Sequence, residues 1–195
     1  MNKGLHTGFA QSGLPQLVQE LLYDKTLVAN GIFDTAEKWA QGIPPIYERL
    51  SLVLLARSTQ ATNNTVSGME FNGDGAAANF NGTMLVGIGA SSVGCNNDDT
   101  FNVGGLDGTT SAADMWSLSE ITIMNPSDAS KFKRFSVRAH YDYNGNGVLH
   151  VGAKSWKSKD IVNRLRLYPS NYPTDSYIAG SNLQIYGHRL VYPQS

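Results

Sequence analysis

The residues that could do chemistry are few in this sequence, and each set lacks a partner its chemistry requires. Asp142-Tyr143-Asn144-Gly145-Asn146-Gly147 spaces oxygen-bearing side chains as the first half of an EF-hand calcium loop does. The twelfth position, where a bidentate glutamate must close the shell, is Ala153, so the segment reads as a hairpin turn. Asp98, Asp99 and Asp107 are the alternative cation site, built across loops. His6, His140, His150 and His188 share no i,i+4 or H-x-H spacing, so no zinc signature exists. His140 and His150 lie on the two arms of the 132–156 hairpin, where they are expected as cross-strand neighbours. Cys95 is the single cysteine; it excludes an internal disulfide and a thiolate cluster, and reads as a passive thiol in a loop. Ser91 and Ser92 lack the glycine spacing of a nucleophile elbow, and Gly87-Ile88-Gly89 lacks the third glycine of a dinucleotide fingerprint. Asp98 and Asp99 are adjacent, which on a strand points them apart. No catalytic residue, metal ligand or cofactor is assigned, and a non-enzymatic protein is expected.

Charge is the next signal. The chain of 195 residues has a formal net charge of −1, which argues against a nucleic-acid or membrane-surface partner. Its distribution is uneven: residues 58–130 hold eight acidic side chains and no Lys or Arg, whereas residues 131–195 hold ten basic and three acidic. Either the two thirds neutralise each other within the fold or they face each other between adjacent copies. Lys154, Lys157, Lys159, Arg164 and Arg166, interleaved with Trp156 and Tyr168, form a basic cluster expected to be a solvated face. The N-terminus lacks a signal peptide's apolar core and no apolar run approaches 18 residues, so a chain made in a cytoplasm is expected, where the sequons at Asn63 and Asn81 carry no sugar.

The elements that must position these groups are strands. Arg49–Arg57 places Leu50, Leu52, Leu54 and Ala56 on one side and Ser51, Val53, Leu55 and Arg57 on the other, with Pro44 and Pro45 ahead. This is a central strand with one apolar face and one mixed face. Glycine numbers 20 and charged residues are only 16%, as in a turn-rich β protein. Leu14–Gln19 reads as strand lead-in or a short helix, with strand from Glu20 onward. Strands follow over 66–72 and around Met84–Ile88, 115–124, 135–141, 149–153, 161–168 and 180–191, with tight turns at Asn72-Gly73 and in 142–147. Ala90–Asp114 reads as the longest irregular stretch and as a contact surface. The parity of Trp116, Leu118 and Glu120 against Ile121 and Ile123 predicts a bulge near Ser119 or Glu120. About nine or ten antiparallel strands at this spacing predict an all-β fold, a single jelly-roll-like antiparallel β-sandwich over 43–195 with an N-terminal arm and lead-in strands over 1–42.

Four segments, IPPIYERLSLVLLARS (43–58), MEFNGDGAAANF (69–80), LRLYPSN (165–171) and IAGSNLQIYGHR (178–189), resemble a family of tailed-bacteriophage structural proteins. Its members show an I-P-x-x-Y-x-x-L-x-L-x-x-x-A-R-S entry strand, an R-F-N-G-D-x-x-x-N-Y hairpin, a late I-x-L-x-P-x-x-x-x-F strand and a closing G-S-x-x-x-L-Y-G strand. The resemblance spans 43–189. Here Glu70 stands in place of the family's arginine and Phe80 in place of its tyrosine. It implies a jelly-roll-like sandwich displayed on a virion as an oligomer, expected to be a homotrimer, with the phage major capsid protein or a tail component as the other partner. A capsid decoration or cement protein is the expected function, with Leu14, Leu17, Leu21, Trp39, Asp98, Asp99 and Phe101 as assembly contacts. The alternative is a tail or tail-fibre module that stacks host-surface carbohydrate on Trp116, Trp156, Tyr141 and Tyr143.

Overall fold

The computed structural model describes residues 15–90, 92–97, 101–143 and 145–192. Strands occupy Gln16–Thr26 (β1), Phe33–Asp34 (β2), Arg49–Ala56 (β3), Asn64–Phe71 (β4), Phe80–Ile88 (β5) and Ser92–Asn97 (β6). The later six are Asn102–Asp107 (β7), Ser117–Met124 (β8), Lys133–Tyr143 (β9), Asn146–Trp156 (β10), Leu165–Pro169 (β11) and Asn182–Val191 (β12). Short 3-10 turns lie at Thr35–Glu37 and Ala77–Asn79. An eight-stranded sheet runs β1-β12-β3-β8-β9-β10-β5-β6 and a four-stranded sheet runs β2-β11-β4-β7. Every strand pairing is antiparallel, and the two sheets pack as an all-β, jelly-roll-like sandwich.

β3 sits third in the large sheet, between β12 and β8, as its apolar face requires. Leu50, Leu52, Leu54 and Ala56 are buried, and the small sheet supplies Met69, Phe71, Val103, Leu106, Leu165 and Leu167 to the same core. The Asn72-Gly73 turn works as its chemistry dictates: both residues take positive φ (56° and 83°), and the Asp74 N–H donates to the Phe71 carbonyl at 2.8 Å. The side chain of Asp74 then accepts from Trp156 Nε1 (2.7 Å) and from Asn79, which ties this turn to the end of β10.

The lead-in strands β1 and β2 pair along β12 and β11, one in each sheet. Several expectations are corrected. β1 is extended from Gln16, with no helix over the described part of 14–19. The irregular stretch 90–114 contains two strands, β6 and β7, and Cys95 falls in β6, opposite Leu85. β7 hides its strand character because it needs glycine: a Cβ on Gly105 would stand 2.0 Å from Tyr141 Cε1, and one on Gly104 2.3 Å from Ala139 Cβ. β8 has no bulge; Ser117, Ser119, Ile121 and Ile123 point inward in unbroken alternation and Leu118 points out. Ser119 lies against the backbone of Gly104, where only a small side chain fits, and Ser117 is satisfied inside by Asp107, donating to its carboxylate and accepting from its N–H. Register shifts occur instead between Leu21 and Tyr23 and between Val66 and Gly68.

Candidate functional site: the open face of the large sheet

One face of the large sheet is covered by the small sheet; the other, among the described residues, is open. Register places its outward side chains in rows across the central strands. Val53, Glu120, Arg138, Val151 and Leu85 form one row on β3, β8, β9, β10 and β5. Leu55, Leu118, His140 and Leu149 form the next. In an antiparallel sheet with one wet face these positions are usually polar. Here Leu55 and Leu118 on β3 and β8, and Leu149, Val151 and Leu85 on β10 and β5, remain 39–49% exposed and make an apolar band that is interrupted at β9 by His140 and Arg138. Glu120 and Arg138 lie in its middle, 3.6 Å apart and largely in solvent, where such a pair adds little to stability.

At one end of the same face a cleft of about 910 Å³ opens beside Met124, Arg134 and Ser155, with half-exposed Phe132 and the cations Lys131 and Lys159 on its rim. Lys131 pairs with Asp128, whose carboxyl is held below the usual range by that ammonium and by Ser130. Among the described residues, neither Arg134 nor Lys159 has an ion-pair or side-chain hydrogen-bond partner. The rim is set from inside by Lys133, a buried cation whose Nζ donates to the carbonyls of Asp128 (2.6 Å), Lys131 (3.0 Å) and Lys159 (3.1 Å). Burial pushes its ammonium below the ordinary lysine value, and the charges of Asp128 and Asp160 oppose that shift.

The expected site residues divide. Leu17 and Leu21 are 57% and 53% exposed on edge strand β1 and remain available for contact. Trp39 is half-buried against Tyr23, its ring centroid 6.1 Å away, and Phe101 is spent between Phe80 and Tyr168. Leu14, Asp98 and Asp99 lie outside the described residues. Of the stacking aromatics, Trp156 is 1% exposed and lies flat on Phe71 at 5.1 Å, so neither ring face is open to a sugar. Tyr141 is also buried, edge-on to His150. Tyr143 is exposed, and Trp116 is half-buried over Gly180.

The histidines do not meet: His140 points outward opposite Leu149, whereas His150 points inward opposite Ala139. His188 bridges Arg49 Nη2 (2.9 Å) and Ser51 Oγ (3.0 Å); burial, then the arginine, holds its imidazole below the ordinary value. Asp107 is fully buried between the sheets, one carboxylate oxygen accepting from Ser117 Oγ (2.7 Å) and the other from the Asp142 N–H (3.0 Å), so it faces no loop. Among the described residues no three His, Cys, Asp or Glu converge on a possible metal position. The basic cluster is dispersed: Lys154 is buried, Arg164 pairs with Asp34, and Arg166 pairs with Glu70 while lying over Tyr172. Glu120–Arg138, Glu70–Arg166 and Asp128–Lys131 join the acidic middle of the chain to its basic end, so three of the eight acidic side chains of 58–130 are paired with it within one molecule.

Sequence reasoning missed Arg57. Its place on the mixed face of β3 predicts exposure, yet it is buried, and its guanidinium donates to the carbonyls of Gly108, Thr109, Ser111, Ala112 and Ala113. No local sequence signal marks it: the loop it binds lies 51 to 56 residues along the chain and is brought to Arg57 only by the fold, where the Ser58 N–H donates to the Asp107 carbonyl. Comparison of the chain with protein-family models, with curated proteins and with solved structures finds no match.

Proposed function

We propose that the chain is a non-enzymatic structural protein of a phage virion, made in the host cytoplasm. In this reading it is a capsid decoration or cement protein that stabilises the shell through contacts with copies of itself and with the major capsid protein. No nucleic acid or membrane enters the reading. The observation that carries it is the apolar band of Leu55, Leu118, Leu149, Val151 and Leu85 on an open sheet face, a surface suited to being covered by protein. The residues behind the phage resemblance support it as scaffold: Arg57, Asn72, Asp74 and Gly180 all fix turns. The test is co-sedimentation with shells of the major capsid protein of the phage that encodes the chain. Saturable binding at a copy number set by the shell lattice, with shells made more resistant to heat, is expected; no binding overturns the proposal.

A second reading, a tail or tail-fibre module binding host-surface carbohydrate, is favoured by the cleft rather than by the buried aromatics. Phe132 offers an open ring there, beside Arg134, which has no ion-pair or side-chain hydrogen-bond partner among the described residues. Retention on immobilised host cell-wall glycan that Phe132→Ala abolishes is its expected outcome, and equal retention of both proteins refutes it.

A further inference from the structure

The large sheet is centred between β8 and β9, with three strands beyond each. That centre lies between Glu120 and Arg138, which are direct register partners. We propose that a second copy of this chain covers the open face, related by a two-fold axis that runs along the strands at this centre. This rests on the self-association proposed above and specifies its geometry.

The register decides what would meet. A two-fold axis along the strands lays β8 over the second copy's β9 and β3 over its β10, and keeps each row facing the same row. Glu120 then faces the partner's Arg138, and Arg138 faces the partner's Glu120. Leu55 faces the partner's Leu149, Val53 faces the partner's Val151, and Leu118 faces the partner's His140. The charged centre becomes two opposite-charge contacts, Leu55 on Leu149 and Val53 on Val151 close as apolar contacts, and Leu85 covers the partner's Gln184. The other in-plane axis, across the strands through this row, places Glu120 on Glu120 and Arg138 on Arg138, and like charges in direct opposition are disfavoured. The end row holds as well: Met124 faces the partner's Arg134 and Arg49 faces the partner's Ser155, with no like-charge meeting.

The size is adequate. Six strands from β12 to β5 and the seven rows from Leu118 to Met124 give a face of roughly 29 by 24 Å, about 700 Å², at ordinary strand and residue spacings. A stable interface takes about 800 Å² from each partner. Sheets packed face to face with nearly aligned strands are a standard layer arrangement, so the contact requires no rearrangement.

The experiment uses Glu120→Arg and Arg138→Glu in the full chain, followed by sedimentation velocity alone and as an equimolar mixture. The wild type is expected at twice the 21.1 kDa chain mass. Each variant alone meets its own kind with like charges, and its self-affinity is expected to fall at least about tenfold. In the mixture the arginine introduced by Glu120→Arg faces the glutamate introduced by Arg138→Glu, and the first variant's native Arg138 faces the second's native Glu120. A mixed pair should therefore form with affinity within about threefold of the wild type. Each variant has lost the pair within its own molecule and mixing cannot restore that, so rescue reports only a contact between copies. The circular dichroism spectrum of each variant should match the wild type, because both side chains are largely in solvent and the fold does not depend on them. A wild type that associates without rescue on mixing, or at three times the chain mass, overturns this geometry and leaves self-association standing. A wild type that stays at 21.1 kDa overturns both.

Discussion

Replacing Arg57 with methionine keeps the side chain's bulk and removes its charge and five donors. In the folded protein Nε donates to Gly108 (3.1 Å), Nη1 to Ala112 (2.9 Å) and Ala113 (2.6 Å), and Nη2 to Ser111 (2.7 Å) and, at 3.4 Å, to Thr109. Thr109, Ala112 and Ala113 are exposed, so water can replace the arginine at their carbonyls; Gly108 and Ser111 are buried, and while the Gly108 carbonyl keeps the Ser111 N–H at 3.3 Å, the Ser111 carbonyl would be left without a donor. Two charge-assisted bonds are worth roughly 1.5–3 kcal/mol each. Release of the guanidinium from its own desolvation recovers part of that, and a net loss of about 3 kcal/mol follows. For a chain of this size that lowers the melting temperature by about 6–12 °C. Arg57→Lys, with a single ammonium unable to span the loop, should lose about half as much. Thermal and urea unfolding followed by circular dichroism measure both. An exposed arginine on the mixed face of β3 would cost under about 0.5 kcal/mol, so a shift below about 2 °C for Arg57→Met refutes the buried, loop-binding role.

Three further outcomes follow from the packing. Gly105→Ala puts a methyl 2.0 Å from the Tyr141 ring and forces β7 off β9; a loss of about 1–3 kcal/mol is expected in urea, and an unchanged midpoint contradicts the close approach of the sheets. Trp156→Ala opens a cavity on Phe71 and leaves Asp74 without its indole donor, costing about 3–5 kcal/mol; Phe132→Ala on the cleft rim should stay within about 0.5 kcal/mol, and equal costs refute the division between core and surface. The Asp34 carboxyl is held below its ordinary value by Arg164, against the opposing effect of burial. The unfolded chain therefore binds this proton more readily, and the stability the pair contributes is full above about pH 3.8 and is lost as the pH falls through the depressed folded value. Asp34→Asn should be less stable at neutral pH and lose less on strong acidification, measured as urea midpoints; parallel pH curves refute this linkage.

The sandwich was legible because alternation is a property of the strands themselves. Leu50, Leu52, Leu54 and Ala56, or Phe135, Val137 and Ala139, declare a two-residue period and one buried face. What stayed hidden depends on neighbours distant in sequence. β7 is built on Gly104 and Gly105, residues of low strand propensity, because Ala139 and Tyr141 of another strand leave no space for side chains. The inward parity of β8 belongs to Ser117 and Ser119 rather than to Leu118, and only the opposing sheet makes that sensible. The candidate surface was legible in part. Leu17 and Leu21 are exposed on β1, but a tryptophan's availability cannot be read locally: Trp156 sits beside lysines in sequence and, buried, flat against Phe71 in space. The apolar band itself was invisible, since its members come from β3, β5, β8 and β10 and only cross-strand register gathers them on one face, either side of β9.

If this molecule works by having its open sheet face covered, its mass in solution must depend on the apolar band. The most direct measurement is sedimentation velocity of the wild type against Leu118→Arg/Leu149→Arg across a concentration series. A wild type heavier than 21.1 kDa is expected, with a double variant that sediments at 21.1 kDa and keeps the wild-type circular dichroism spectrum. Equal masses for the two proteins at every concentration would contradict it.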